Sequence, residues 1–250
     1  MDRIVKENLI HPATCFQRDE LERRRVEHKF VHLAKVEAFA WDLELYGQLQ
    51  SQFNNRVILK GGAAAQLFFP IHLQRNSVDI DVVTDLTNRE FAEGLKAITQ
   101  RLCPNGAVCT FKEYIPERGK DGLRLTRYTI EVPSVCNAQE GYGRQDPTVQ
   151  TLNVDVLYGR VPKEHFIKKS TPTFALNLEF EARVCSTDAL FGDKLMTLAV
   201  TTVGIPDFRA SDRCKQLYDL HGFVSLWSIA ELVSTLSRNP QDANLLAAAQ

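Results

Sequence analysis

The chain has 250 residues, 44% of them hydrophobic, and a formal net charge of −1 at neutral pH. This length and apolar content allow a sizeable core, in one large domain or two smaller ones, while the near-neutral charge excludes a globally basic nucleic-acid-binding protein. No apolar run reaches the length of a membrane span and the N-terminus lacks the apolar segment of a signal peptide, so we expect a soluble cytoplasmic protein without membrane contact.

The first predicted element is one long amphipathic helix from Glu20 to Leu49, in which apolar residues recur at three- and four-residue steps. We expect this helix to pack on the domain that follows. Its basic start, Arg23 to Arg25, is typical of a solvated helix end and less often of a nucleic-acid contact.

The next stretch, VILKGGAAAQLFFPIHLQRNSVDIDVVT from 57 to 84, contains an apolar strand, a glycine pair, a short helix, a polar turn and a second strand. We predict a buried strand over Arg56 to Lys60 and a helix over Ala63 to Phe69, which ends before Pro70. The glycine pair, Gly61 and Gly62, has no Cβ atoms, so its backbone could approach a phosphate closely.

Two aspartates follow in the second strand of this stretch. Residues two apart in a strand point to the same face, so Asp79 and Asp81 project together. Two neighbouring carboxylates repel each other unless a cation lies between them, and Mg²⁺ with oxygen ligands is the usual solution. The pattern therefore predicts a metal site that can hold the phosphates of a nucleotide.

Beyond this stretch the sequence predicts a helix from Asn88 to Leu102 and then an antiparallel extension of the sheet. The segment Pro133 to Pro147 is polar and glycine-bearing, which indicates a mobile loop. The six cysteines show neither a metal-binding nor a disulfide spacing, so we expect reduced and mostly buried thiols. The three strand candidates of the extension are Val108 to Ile115, Leu123 to Val132 and Thr151 to Tyr158.

The third of these strands contains one acidic residue among apolar ones. Leu152, Val154 and Val156 alternate with the other side chains, which places Asp155 on the face opposite the core. An unpaired charge in apolar surroundings is costly. Asp155 is therefore expected either to serve a functional site or to pair with an arginine, and the sequence favours neither.

The last part of the chain is predicted to be mainly helical. We expect Pro162 to Phe180 to be irregular or extended, Ser186 to Val200 to form a helix capped by Ser186 or Thr187, and Tyr218 to Leu236 to form a further helix. Lys194 lies on the first of these helices, where a lysine ordinarily faces solvent.

The chain contains, in this order, an apolar strand, Lys-Gly-Gly, a helix, Arg-x-Ser and Asp-x-Asp. In this order of motifs it resembles nucleotidyltransferases of the DNA polymerase beta type. The GDKL sequence containing Lys194 and the later pair Lys215 and Asp219 bring the chain closer to the AbiEii/AbiGii bacterial toxin branch. The resemblance implies an α+β fold: a polymerase beta-like nucleotidyltransferase core with a mixed or antiparallel sheet, an N-terminal helix and a C-terminal helical region. We assign residues 1–50, 51–180 and 181–250 to these three parts.

The sequence departs from the family pattern at two positions. Gln216 replaces the first aspartate of a Lys/Arg-Asp-x-x-Asp element, and Ala63 follows the glycines where relatives commonly have Ser or Thr. Both changes remove polar groups near the expected nucleotide site, which puts its affinity and base preference in doubt.

The resemblance also implies a reaction and a set of roles. A nucleoside monophosphate would pass from an NTP to a hydroxyl acceptor with Mg²⁺ or Mn²⁺, and Asp155 would complete the metal site or position the acceptor. The acceptor would be RNA, notably the 3′ end of tRNA, and a companion antitoxin would neutralise the toxin. The implied metal ligands are Asp79, Asp81 and Asp155, the implied phosphate contacts are Lys60, Gly61, Gly62, Arg75 and Ser77, and the implied contacts to nucleotide or acceptor are Lys194, Lys215 and Asp219.

Two other interpretations stay open. The same NTP half-site would serve an enzyme that modifies a protein or a small molecule, and a domain that binds nucleotide without turnover would also fit, given Ala63 and Gln216. Basic residues in two groups favour RNA if the fold brings both groups to the acidic site. They are Arg18, Arg23, Arg24, Arg25, Lys29 and Lys35 in the first group, and Lys163, Lys168, Lys169, Arg209, Arg213 and Lys215 in the second.

Overall fold

The computed structural model describes residues 3–227 apart from 55, 78, 107–108, 116–123, 137–147, 161–164, 169–170, 200–204 and 206–209. The chain divides into two compact units, Met1–Val184 and Cys185–Gln250. The helices of the described residues are α1 (Arg18–Glu27), α2 (Leu33–Gln52), α3 (Gly61–Gln66), α4 (Asn88–Leu102), α5 (Thr187–Met196) and α6 (Ala210–Leu226). The strands are β1 (Val57–Lys60), β2 (Asp79–Thr84), β3 (Phe111–Tyr114), β4 (Leu125–Pro133), β5 (Val149–Tyr158), β6 (His165–Lys168) and β7 (Ala182–Cys185).

The strands form one mixed sheet in the order β3-β4-β5-β2-β1-β7-β6. Strands β3, β4 and β5 are joined antiparallel, as the sequence predicted. Strand β2 pairs parallel with β5 and antiparallel with β1, and β1 pairs parallel with β7. The parallel pairing is possible because α4 and two strands lie between β2 and β5 in the chain and provide the crossover. The predicted α+β class with a mixed sheet is therefore confirmed.

Side chains alternate across the sheet and separate its apolar face from its polar face. Ile80 and Val82 of β2 and Val154 and Val156 of β5 are fully buried on one face. The acidic residues that alternate with them, Asp79 and Asp81 of β2 and Asp155 of β5, therefore project from the opposite face. A register shift of one residue would bury the carboxylates, so the apolar alternation fixes where the polar face lies.

The predicted single helix from 20 to 49 is wrong, because the chain forms two helices there. Lys29 has a positive φ of 59° and ends α1 in a turn. The turn places the Phe30 ring against Phe174, with ring centroids 4.0 Å apart. Helix α2 is also not a half-exposed surface helix, since its polar residues Glu37 and Gln48 are as buried as its apolar ones.

Helix α2 forms the centre of the first unit. The Trp41 ring packs on Phe16, with centroids 4.3 Å apart, while Phe39 stacks on Phe174. The Tyr46 hydroxyl donates to the carbonyl of Arg183 in β7 and accepts from the N–H of Leu59 in β1, at 3.2 Å. These contacts join the helix to two adjacent strands of the sheet.

Several other predicted elements are confirmed. Helix α4 has the predicted bounds, and Thr87 and Glu90 form a capping box at its start. The three strand candidates correspond to β3, β4 and β5 with shifted ends, whereas β6 occupies part of the stretch Pro162 to Phe180 that we expected to be irregular or extended. In the predicted loop Pro133 to Pro147, residues 137–147 lie outside the described part.

The second unit contains α5 and α6. Helix α5 begins where predicted, with the Ser186 hydroxyl accepting from the N–H of Ala189 at 3.2 Å. Rings of Phe191, Phe223 and Trp227 pack together between the two helices. Helix α6 begins before the predicted start at Tyr218, and the rest of the predicted helix, from residue 228, lies outside the described residues.

Two further predictions concern the cysteines and membrane-spanning helices. All six cysteines are free thiols and four of them are buried, as predicted. Within the described ranges, no helix combines the length and the apolar character needed to cross a membrane.

Candidate active site

Four charged residues lie in one row across the polar face of the sheet. The register pairs Arg127 of β4 with Asp155 of β5, Asp155 with Asp81 of β2, and Asp81 with Lys60 of β1. Directly paired residues project to the same face. Two carboxylates therefore lie side by side, with a cationic side chain at each end of the row.

Asp79 begins a second row beside the first. Asp79 pairs with Asn153 of β5, which pairs with Thr129 of β4. The Asn153 side-chain amide donates to Asp79 Oδ1 at 3.0 Å, and the Thr129 hydroxyl donates to Asn153 Oδ1 at 3.2 Å. These hydrogen bonds fix the orientation of the Asp79 carboxylate, and sequence reasoning did not identify Asn153 as a residue of the site.

Asp155 meets both interpretations that the sequence left open. It lies beside Asp81, as a third site carboxylate would, and it is also the partner of an arginine. Arg127 Nε and Nη2 donate to its two oxygens, each at 2.6 Å, and Nη2 lies 4.0 Å from Asp79 Oδ2. The hydrogen bonds to Asp155 and the negative charges of Asp155, Asp79 and Asp81 raise the pKa of Arg127. Its positive charge is thus stabilised by the whole acidic cluster.

A further carboxyl group influences this cluster from α2. Asp42 is 1% exposed, and neither of its oxygens has a hydrogen-bond partner among the described residues. Burial, followed by the negative charges of Asp79 and Asp81, raises the pKa of the Asp42 carboxyl well above its ordinary value. Sequence reasoning missed this group, because a polar position on an apparently amphipathic helix is expected to face solvent.

The glycine pair packs directly against the acidic strand. Gly61 has a positive φ of 68°, and the space that a Cβ atom would need there is taken by the carboxyl of Asp81. A Cβ atom at Gly62 would lie 2.7 Å from Ser77 Oγ. These contacts require glycine at both positions, in addition to any approach of a phosphate.

The turn before β2 is held to α3 by one side chain. Gln66 Oε1 accepts from the N–H of Arg75 at 2.7 Å, and its amide donates to the carbonyl of Gly62 at 3.1 Å. The Ser77 hydroxyl in turn donates to the carbonyl of Asp79 at 3.3 Å. The structure thus brings Lys60, Gly61, Gly62, Arg75 and Ser77 together around Asp79 and Asp81.

The remaining predicted residues lie in the second unit. Lys194 Nζ contacts Asp219 Oδ2 at 2.8 Å, and the two side chains are 6% and 0% exposed. Lys194 therefore does not follow the ordinary tendency of a helical lysine to face solvent, and its implied contact with a nucleotide or acceptor stays a prediction. Lys215 is exposed and lies 3.5 Å from Asp212, while the Gln216 side-chain oxygen is buried and has no partner within the described part of the chain.

Three arginines of the first basic group are paired with glutamates and do not form a free cationic face. Arg23, Arg24 and Arg25 pair with Glu20, Glu22 and Glu27 of their own helix. Helix α1 therefore presents nearly balanced charges. In the second group, Lys163, Lys169 and Arg209 lie outside the described residues, as does the side chain of Lys168.

The donor set of the acidic cluster fits a hard divalent cation in part. Mg²⁺ is commonly held by one or two carboxylates together with water and substrate phosphates, which matches Asp79 and Asp81. As the side chains stand, no three His, Cys, Asp or Glu residues of the described part are arranged to hold a metal ion. Asp155, the natural third member, is engaged by Arg127 instead.

Comparison with known proteins gives one family match. The family described as nucleotidyl transferase AbiEii toxin, type IV TA system, matches residues 45–238. A comparison with curated protein sequences gave no match.

Two solved structures from Helicobacter pylori are similar to the chain. JHP933 has 17% sequence identity and a TM-score of 0.49, over 85% of this chain and 78% of that chain. A protein described as a candidate nucleotidyltransferase also has 17% identity, with a TM-score of 0.45, over 83% of this chain and 78% of that chain.

Proposed function

Because the chain belongs to the AbiEii family of nucleotidyltransferase toxins, we propose that it transfers a nucleoside monophosphate from an NTP to a hydroxyl group, with a divalent cation at Asp79 and Asp81. The observation that supports the proposal best is the convergence of three carboxylates on one sheet face. Strands β2 and β5 are far apart in the chain, and their parallel register sets Asp155 beside Asp81. A purely structural sheet gives no reason to gather these charges.

The cation would be Mg²⁺ or Mn²⁺. When held by Asp79 and Asp81, it would offset the negative charge that develops as pyrophosphate leaves. Asp79 and Asp81 are suited to hold it because they lie two residues apart in β2 and project from one face. Asn153 keeps Asp79 oriented through its 3.0 Å hydrogen bond.

Other residues of the first unit would position the reactants. The turn of Gly61 and Gly62, with Ser77 and Arg75 beside it, is placed to border the triphosphate. Lys60 lies at the end of the charged row next to Asp81 and can contribute positive charge. Asp155 would orient the attacking hydroxyl once its oxygens are released from Arg127.

We propose RNA, and specifically the 3′ end of tRNA, as the acceptor. Family membership supports this choice, whereas Arg23, Arg24 and Arg25 add nothing to it because glutamates of the same helix neutralise them. The description of the family as the toxin of a toxin–antitoxin system also implies a companion antitoxin as a partner.

The proposal is tested by incubating the purified protein with each α-labelled NTP, Mg²⁺, total bacterial RNA and cell extract. We expect label on tRNA-sized RNA and none with Asp79→Ala. Asp85→Ala is the matched control, since Asp85 follows the same strand, is exposed and pairs with Arg56, away from the acidic cluster. This variant should retain the wild-type level of labelling.

Each other outcome has a defined meaning. Label only on protein or on a small molecule would overturn the RNA acceptor and retain nucleotidyl transfer. Absence of label in every fraction, with NTP still bound, would overturn catalysis and favour a nucleotide-binding domain. In a second readout, Mg²⁺ with NTP should raise the melting temperature of the wild type and not that of the double variant Asp79→Asn, Asp81→Asn.

A further inference from the structure

Arg127 is the charged side chain whose position the proposed function leaves unexplained. It is only partly buried, at 37% exposed, and forms a bidentate pair with Asp155, its direct neighbour in the register. The simplest interpretation is a cross-strand ion pair that stabilises the pairing of β4 and β5. Such half-exposed pairs contribute little to stability, because solvent screens them and the side chains lose freedom when they pair.

Two observations bear on whether Arg127 serves more than this strand pair. Its Nη2 atom also lies 4.0 Å from Asp79 Oδ2, on a strand beyond β5. The same guanidinium therefore faces two of the three carboxylates that the reaction would use. In addition, while Asp155 is held by Arg127, no three acidic, histidine or cysteine side chains of the described residues are arranged to hold a metal ion.

A divalent cation at this cluster would have to compete with the guanidinium. Both need the same carboxylate oxygens, because Asp155 gives one oxygen to Nε and the other to Nη2. A cation bound by Asp79 and Asp81 would also repel a positive charge at the distance that now separates Arg127 from Asp79. Binding of the cation should therefore drive Arg127 away from the carboxylates.

The displaced side chain would lie at the edge of a site that contains a triphosphate. A guanidinium presents paired donors that match phosphate oxygens as well as they match a carboxylate. The long side chain of arginine allows this change of partner without movement of β4. An anionic substrate group would also replace the negative charge that Arg127 loses when it leaves Asp155.

We propose that Arg127 exchanges partners during the reaction cycle: it neutralises Asp155 and Asp79 in the empty site, and it binds a phosphate of the nucleotide once a divalent cation has taken the carboxylates. This inference rests on the proposed function and assigns Arg127 as a nucleotide-binding residue. It predicts opposite effects of one substitution on two affinities, which a structural ion pair would not produce.

The test uses the full chain and two binding measurements. Mn²⁺ binding without nucleotide is followed by the electron paramagnetic resonance signal of the free ion, and NTP binding at saturating Mn²⁺ by calorimetry. In Arg127→Gln we expect Mn²⁺ affinity to rise by roughly three- to tenfold and NTP affinity to fall by about tenfold or more, as for a lost hydrogen bond to a charged group.

Two variants serve as controls. Arg124 lies just before β4, is exposed and has no ion pair with any described residue. Arg124→Gln therefore removes the same charge as Arg127→Gln, and both affinities should stay at the wild-type values. Arg127→Lys keeps the charge and removes the paired donor geometry. It should fold if Arg127→Gln does not, and its NTP affinity should lie between those of the wild type and Arg127→Gln.

The outcomes separate this inference from the proposed function. If Arg127→Gln or Arg127→Lys leaves both affinities equal to those of Arg124→Gln, Arg127 is a structural ion pair and the inference is wrong. A fall in Mn²⁺ affinity, or an unchanged NTP affinity, would also overturn it. A wild-type protein that binds neither Mn²⁺ nor NTP would overturn the proposed function first, and that result is visible before any variant is measured.

Discussion

Replacement of Asp42 by asparagine should stabilise the protein, and the gain should grow as the pH rises. Asp42 is buried in α2 without a hydrogen-bond partner within the described structure. Burial and the nearby charges of Asp79 and Asp81 raise the pKa of its carboxyl well above 3.8. The native state therefore keeps the proton over a pH range in which the unfolded chain has lost it.

The sign of the effect follows from the number of protons bound in each state. Below pH 3.8 both states carry the proton, and Asp42 adds no pH dependence. Above that value the native state binds more protons than the unfolded state, so the free energy of unfolding falls as pH rises, until the pH passes the native pKa. At a pH above both pKa values, each unit by which the native pKa is raised lowers the free energy of unfolding by about 1.4 kcal/mol.

A buried polar group without partners costs about 1–3 kcal/mol, and this cost is present in both the wild type and the variant. The substitution itself buries an amide, so the clearest quantity is the difference between the gain at pH 8 and the gain at pH 5. We expect a difference of at least ~1 kcal/mol, which corresponds to a melting-temperature change of about 2–4 °C for a chain of this size.

The assay is thermal unfolding of wild type and variant at pH 5 and pH 8, with Glu7→Gln as an exposed control that should show no difference between the two pH values. The variant Asp81→Asn should reduce the gain from Asp42→Asn, because it removes one of the charges that raise the pKa. If Asp42→Asn has the same effect at both pH values, or loses more stability at pH 8, the carboxyl is ionised in the native state and the reasoning fails.

Three further predictions concern single contacts. Lys194→Ala should destabilise the protein by about 3–5 kcal/mol in chemical denaturation, because it leaves Asp219 charged and buried. The double variant Lys194→Met, Asp219→Leu should lose less stability, and the exposed control Lys215→Ala should change it by no more than about 0.5 kcal/mol. Gly61→Ala should lower the Mn²⁺-dependent rise in melting temperature, because a Cβ atom there would displace the Asp81 carboxyl. Gly106 has a similar positive φ of 66° but open space for a Cβ atom, so Gly106→Ala should cost only ~1–2 kcal/mol of stability and leave the Mn²⁺-dependent rise unchanged. If both variants change that rise equally, the contact with Asp81 is unimportant. Tyr46→Phe should lower the free energy of unfolding in urea by about 1–3 kcal/mol, because the N–H of Leu59 and the carbonyl of Arg183 lose their shared partner. An unchanged unfolding midpoint would indicate that the strands pair equally well without the Tyr46 hydroxyl.

The acidic residues could be predicted because their signal is local. A strand alternates with a period of two, so the sequence around Asp79, Asp81 and Asp155 shows which face each carboxylate takes. The start of α4 was equally readable, since Thr87 and Glu90 form a capping box within four residues. Local patterns of this kind do not depend on the rest of the fold.

The partners of these residues could not be predicted, because they depend on the register between distant strands. Arg127 reaches Asp155, and Asn153 reaches Asp79, only once β4, β5 and β2 are paired. The alternation of β4 does place Arg127 on a polar face, which is the one signal that could have suggested it. The break at Lys29 was missed for a related reason, since the packing of Phe30 on Phe174 brings together residues far apart in the chain.

The central position of α2 has a practical consequence for anyone who shortens the protein. The family match begins at residue 45, in the middle of that helix. A fragment cut at this boundary would lose the rings of Phe39 and Trp41, which are buried, and would uncover Phe174, on which Phe39 stacks. Removal of even one such ring from a core costs about 3–5 kcal/mol, a large part of the stability of an ordinary domain. A soluble fragment therefore has to begin ahead of Phe16, whose ring covers Trp41.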